Sequence, residues 1–127
     1  MERVEGIGGF FFSASDPEAL SAWYAEHLGV SPPPASYDAE VWTQLEGPTV
    51  FAPFPAGGGE SPFLGRGGWG INFRVGDLDA VVAQLRAAGI DVTVDPEGYP
   101  NGRFAQLEDP EGNAIQLWEP VTGRSTG

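Results

Sequence analysis

The chain holds one imidazole, His27, with no cysteine and no lysine among its 127 residues. Those absences close most covalent chemistry before any fold is considered. A Ser-His-Asp relay would have to converge on His27, and a side-chain Schiff base has no amine from which to form. Zinc fingers, iron–sulfur clusters, thiolate nucleophiles and any metal site built on two imidazoles of one chain are excluded as well. Carboxylates remain as acid–base groups. Glu46, Glu108 and Glu119 are the candidates, each needing burial in a cavity to bring its pKa toward neutrality. His27 itself follows Tyr24 by three residues beside an apolar stripe and reads as a packing residue. The run GRGGWG at 65–70 matches the dinucleotide pattern G-x-G-x-x-G, but that motif must follow a strand and open a helix. Here it precedes a strand, so it reads as linker and turn.

The charge balance narrows the partners. Eighteen acidic side chains face six basic ones, all arginine, for a formal charge of −12. That sign repels phosphate backbones and anionic lipid headgroups, which argues against nucleic acid and membrane surfaces as partners. No run approaches the roughly 20 apolar residues of a membrane span, and MERVEG lacks the features of a signal peptide, so a cytoplasmic location is expected. An apolar fraction of 41% with 12% aromatics is enough for the core of one ordinary domain.

The elements that must position these residues come in two similar sets. FFFSAS at 10–15 reads as a strand, Asp16-Pro17 as a helix start, and Leu20, Trp23, Tyr24 and Leu28 as a stripe of helical period that stops at Gly29. GINFRV at 70–75 repeats the strand, Asp77 the cap, and Leu78, Val81, Val82 and Leu85 the stripe, which ends at Gly89. An offset of 61 residues carries Gly9 onto Gly70, Phe12 onto Phe73 and Asp16 onto Asp77. TQLE at 43–46 likewise parallels AQLE at 105–108, followed by GPTVFAPFP and GNAIQLWEP. Each half therefore reads βαβββ. One domain is expected over 1–127: a first module at 5–55, a Gly/Pro-rich linker at 56–68, a second module at 69–121 and a tail at 122–127. A sheet with helices on one face leaves the other face for burial or a ligand.

The segments SASDPEALSAWYAEHLGV (13–30), VGDLDAVVAQLRAAGI (75–90) and GRFAQLEDPEGNAIQLWEP (102–120) make the chain resemble the vicinal oxygen chelate superfamily. That superfamily includes glyoxalase I, extradiol dioxygenases, fosfomycin resistance enzymes and bleomycin resistance proteins. The resemblance covers nearly the whole sequence, and its most specific part is the DPEGN turn at 109–113 before the last strand. It implies an α+β fold in which two βαβββ modules form a curved, barrel-like mixed sheet. In the metal-dependent members, side chains from the first and last strands of each module hold an ion. Carried over, those positions are Gly9, Phe51, Gly70 and Gln116, of which only the neutral Gln116 has a side-chain donor. Neighbours Gly8, Phe10, Trp69, Ile71, Ile115 and Leu117 are equally unable to bind metal, so no metal and no cofactor is expected.

If those positions face the cavity, strand alternation places Phe11 and Ser13, Asn72 and Arg74, and Ala114 and Trp118 on the same face. Phe51 and Gln116 join them, with Trp42, Trp69, Arg103 and Phe104 at the rim. Aromatic surface with a few polar handles is the mixture of a small-molecule pocket. Arg74 stands out, because a guanidinium in mid-strand needs a carboxylate, water or an anionic ligand group. The resulting expectation is a metal-independent protein that binds a small aromatic or natural-product molecule between the modules, of the sequestration or resistance type. The alternative is an enzyme of the same superfamily, either a metal-free isomerase or lyase or a diverged metal-dependent lyase or dioxygenase. The resemblance also implies a homodimer, and the run Ser31-Pro32-Pro33-Pro34 with the glycine linker suits an exchange of elements between chains.

Overall fold

A computed structural model describes residues 2–39, 41–56 and 63–121. The central part of the expected linker, 57–62, and the expected tail, 122–127, lie outside the described residues. Helix α1 spans Pro17–Leu28. Strand β1 (Gly70–Arg74), helix α2 (Leu78–Ala87) and strands β2 (Thr93–Val94), β3 (Gly102–Glu108) and β4 (Ala114–Pro120) follow.

Both helices start as the sequence implies. The Asp16 carboxylate accepts from the Ala19 amide at 3.1 Å with Pro17 in the first turn, and Asp77 accepts from Ala80 at the same distance. Gly29 closes α1 at φ 72°, a left-handed conformation that a side chain would disfavour. Each stripe is then buried on its core side, Leu20 and Tyr24 from α1 and Leu78, Val82 and Leu85 from α2.

The sheet is mixed, in the order β1-β4-β3-β2. β1 runs parallel to β4, with Asn72 opposite Gln116 and Arg74 opposite Trp118. β3 and β4 form an antiparallel hairpin that sets Phe104 against Trp118 and Gln106 against Gln116. Alternate residues Ala105, Leu107, Ile115 and Leu117 meet the helical stripes in one core, with Ile71 and Phe73 packed at its border. The second half of the chain therefore forms the βαβββ unit read from its sequence.

The first half does not form its counterpart. Among the described residues, neither 2–15 nor 29–56 carries a strand, and the structure contains one sheet where two were expected. Without a ladder for those segments their apolar side chains stay in solvent: Phe11 is 93% exposed, and Leu45, Val50 and Phe51 are similarly bare. The one element the first half contributes, α1, packs on the sheet of the second half.

Candidate functional site

The DPEGN turn joins α1 to the sheet, and the network there was not visible in the sequence. Asp109 is only 4% exposed and, among the described residues, has no cationic partner. Its carboxylate accepts from the Glu111 amide (2.8 Å), the Asn113 amide (3.0 Å), the Asn113 side chain (2.7 Å) and the Tyr24 hydroxyl (2.7 Å). Four donors offset the cost of desolvating that charge. Burial, then the hydrogen bond to Asp109, holds the Tyr24 phenol far above the ordinary tyrosine pKa. Glu111 completes the joint by accepting from the Ser15 and Asp16 amides at 2.7 and 3.0 Å, at the entry to α1. The spacing of Asp109 and Tyr24, 85 residues apart, carried no signal of this pair.

The sheet face turned away from the helices collects the polar residues. Counting across the strands gives two adjacent rows, Asn72, Gln116 and Gln106, then Arg74, Trp118 and Phe104. The Asn72 side-chain amide donates to Gln116 Oε1 at 2.7 Å. Trp118 is 9% exposed and donates from its indole nitrogen to the Asn101 carbonyl at 2.7 Å. Its ring lies parallel to Phe104 within 5°, with centroids 6.2 Å apart, and Tyr99 abuts Phe104 edge-on. Arg74 donates to the Leu45 carbonyl at 3.0 Å, and Gly47 lies against its guanidinium, so the 45–47 segment crosses that end of the face.

Of the residues expected to bind ligand, Asn72, Arg74, Phe104, Gln116 and Trp118 are thus brought together, with Ala114 one row further along. Gln106 belongs to the same set and was missed, although two steps from Phe104 along an alternating strand would have found it. Arg103 sits on the opposite face, where it grips Asp79 of α2 at 3.1 and 3.2 Å and holds that carboxyl below the usual range. Trp42 packs edge-on against Phe73 of the core border, and Trp69 packs on Phe10 and Phe12. Phe11, Ser13 and Phe51 are exposed and lie outside the named strands.

The carboxylates singled out for acid–base work are not buried in this face. Glu119 accepts from the Leu78 amide at 2.7 Å and serves the start of α2, while Glu46 and Glu108 are exposed. The metal positions of the resembled superfamily do not fit an ion here. Gly9, Phe51 and Gly70 offer no donor, a side chain at Gly70 would run into the Phe63 carbonyl, and Gln116 Oε1 is engaged by Asn72. Among the described residues no group of three or more His, Cys, Asp or Glu side chains is placed to hold a metal. A hollow of about 680 Å³, lined by Trp23, Ile90, Asp91, Leu107 and Pro110 among others, also reaches Gln106 and Ala114.

Comparison with known proteins gives a consistent picture. A family model described as "Glyoxalase-like domain" matches residues 9–118. TnmS3, an antibiotic binding protein from Streptomyces sp. CB03234, is similar at 22% identity over 95% of this chain and 100% of its own, with a TM-score of 0.60. A glyoxalase/bleomycin resistance protein from the same organism is 40% identical over 39% of this chain, with a TM-score of 0.36. That match spans 43% of the resistance protein's own chain. No curated protein matches. No helix among the described residues is long and apolar enough to cross a membrane.

Proposed function

From its membership of the glyoxalase-like domain family, to which this chain belongs, we propose that it is a metal-independent binder of a small aromatic or natural-product molecule. The ligand lies on the sheet face formed by Asn72, Arg74, Phe104, Gln106, Gln116 and Trp118. One observation carries this reading: the face away from the helices joins a row of side-chain amides to a row of arginine and aromatic rings. Amides supply both donors and acceptors, the rings supply flat apolar area, and neither supplies a nucleophile or a buried acid. TnmS3, which shares the fold, is described as an antibiotic binding protein, and ligand capture rather than turnover is the reading proposed for this chain.

A second copy of the chain is part of this reading. The bare apolar side chains at Phe11, Leu45, Val50 and Phe51 are what a homodimer would cover. Incubating EDTA-treated protein with a panel of aromatic metabolites and antibiotics, followed by native mass spectrometry, tests both points. Expected are dimer ions carrying one unchanged compound per chain. Conversion of a bound compound would favour the metal-free isomerase or lyase alternative, and binding only after metal is restored would overturn metal independence.

A further inference from the structure

We infer that the ligand presents an anionic group on its flat aromatic body and that the Arg74 guanidinium reads it. This inference rests on the reading above and names the ligand class that the same face would select.

The two arginines of the sheet differ in their partners. Arg103, facing α2, has both terminal nitrogens on the Asp79 carboxylate. Arg74, facing the other way, has among the described residues a single hydrogen bond, to a neutral backbone carbonyl. Among the described residues no carboxylate lies within ion-pair distance of it, in a chain with 18 acidic side chains. Its flanking rows are neutral throughout: Trp118 and Phe104 beside it, Asn72, Gln116 and Gln106 next along. Glu108 is the acidic residue of this face, but it shares a row with Gly70, four residues along the strand from Arg74. Four residues of strand correspond to about 13 Å, too far for an ion pair. Glu46 lies between Leu45 and Gly47, both of which meet the guanidinium, yet its own carboxylate stays outside ion-pair reach.

A guanidinium carries five donors in a planar fork matched to a carboxylate, and among the described residues only one is used by a protein acceptor. The half-buried position limits how much water can take the others. Beside it the parallel Phe104 and Trp118 rings provide an apolar flank, so the chemistry that completes the face is a flat ring bearing a carboxylate or a similar oxyanion. The overall charge of −12 disfavours anions at long range, so an anion would be selected by a local cation such as Arg74.

Three probes of one shape test the inference: naphthoate, its neutral amide naphthamide, and the cation naphthylmethylammonium, titrated into the full chain by calorimetry and tryptophan quenching. Naphthoate should bind about tenfold more tightly than naphthamide, a gap of about 1.4 kcal/mol, with the cation weakest. Arg74→Gln should abolish the preference, so that naphthoate and naphthamide bind that variant equally, Arg74→Lys should retain part of it, and Glu46→Gln should not weaken naphthoate. Melting curves establish that each variant is folded. Equal binding of all three probes, or a naphthoate preference that survives in Arg74→Gln, overturns the anionic ligand and leaves small-molecule binding standing. Binding of none of them, or binding indifferent to Asn72→Ala and Gln116→Ala, overturns both readings.

Discussion

Residues 70–120 build a sheet and the helix that covers it, whereas the described residues of 2–55 follow the same sequence pattern and contribute a helix alone. The divergence can be traced to the stretch after the shared Gln-Leu-Glu. In the second half Glu108 is followed by Asp109, Pro110 and Glu111 before Gly112; in the first, Glu46 runs directly into Gly47. The three residues missing from the first half include the two whose carboxylates hold the turn and the entry to α1. The segment after Gly47 also contains Pro48, Pro53 and Pro55, and a proline cannot donate to a strand ladder. Similar apolar spacing thus gives a folded unit only where the turn chemistry agrees with it.

The contrast can be broken at several points. Leu117 is fully buried in the sheet, and Leu117→Ala should destabilise by about 2–5 kcal/mol in denaturant titration. A loss below 1 kcal/mol would mean the core is not the one described here. Asp109→Ala removes the acceptor from four donors and should cost about 2–3 kcal/mol. It should also loosen α1 from the sheet, visible as faster amide exchange in residues 17–28.

The Tyr24–Asp109 contact makes a prediction in alkali. A phenol whose folded pKa is raised contributes stability that is fully present below the unfolded value of about 10 and is lost as pH climbs toward the folded value. Stability should therefore fall above pH 10 by up to about 1.4 kcal/mol per pH unit from this one group. The chain has no lysine or cysteine to confuse that limb. Tyr24→Phe should flatten the slope, leaving the smaller share of Tyr99, whose pKa its bond to Asp95 also raises. An unchanged slope would dissociate Tyr24 from Asp109 in solution. The smallest effect belongs to the first half. With 93% of Phe11 in solvent, Phe11→Ala should change stability by less than about 0.5 kcal/mol in dilute solution. A large loss there would mean that the first half folds into something with a core of its own.

Much of this was legible in the sequence, and the reasons differ by region. Both helices, their aspartate caps and the second βαβββ unit followed from local pattern, because caps and periodicity are short-range signals. The face shared by Asn72, Arg74, Gln116 and Trp118 followed from alternation. Arg103 fell on the other face because it lies one step from Phe104, and its partner Asp79 sits on a helix that alternation says nothing about. Phe11, Ser13 and Phe51 depended on a first sheet whose pairing is long-range, and pairing of that kind is not written in the spacing of one strand.

The central claim is that the sheet face opposite the helices is the binding face. Amide shift mapping by NMR during a naphthoate titration tests it most directly. The largest shifts are expected at residues 72, 74, 104, 116 and 118. Shifts concentrated instead around Trp23, Ile90 and Asp91, on the side of the hollow away from these residues, would contradict it.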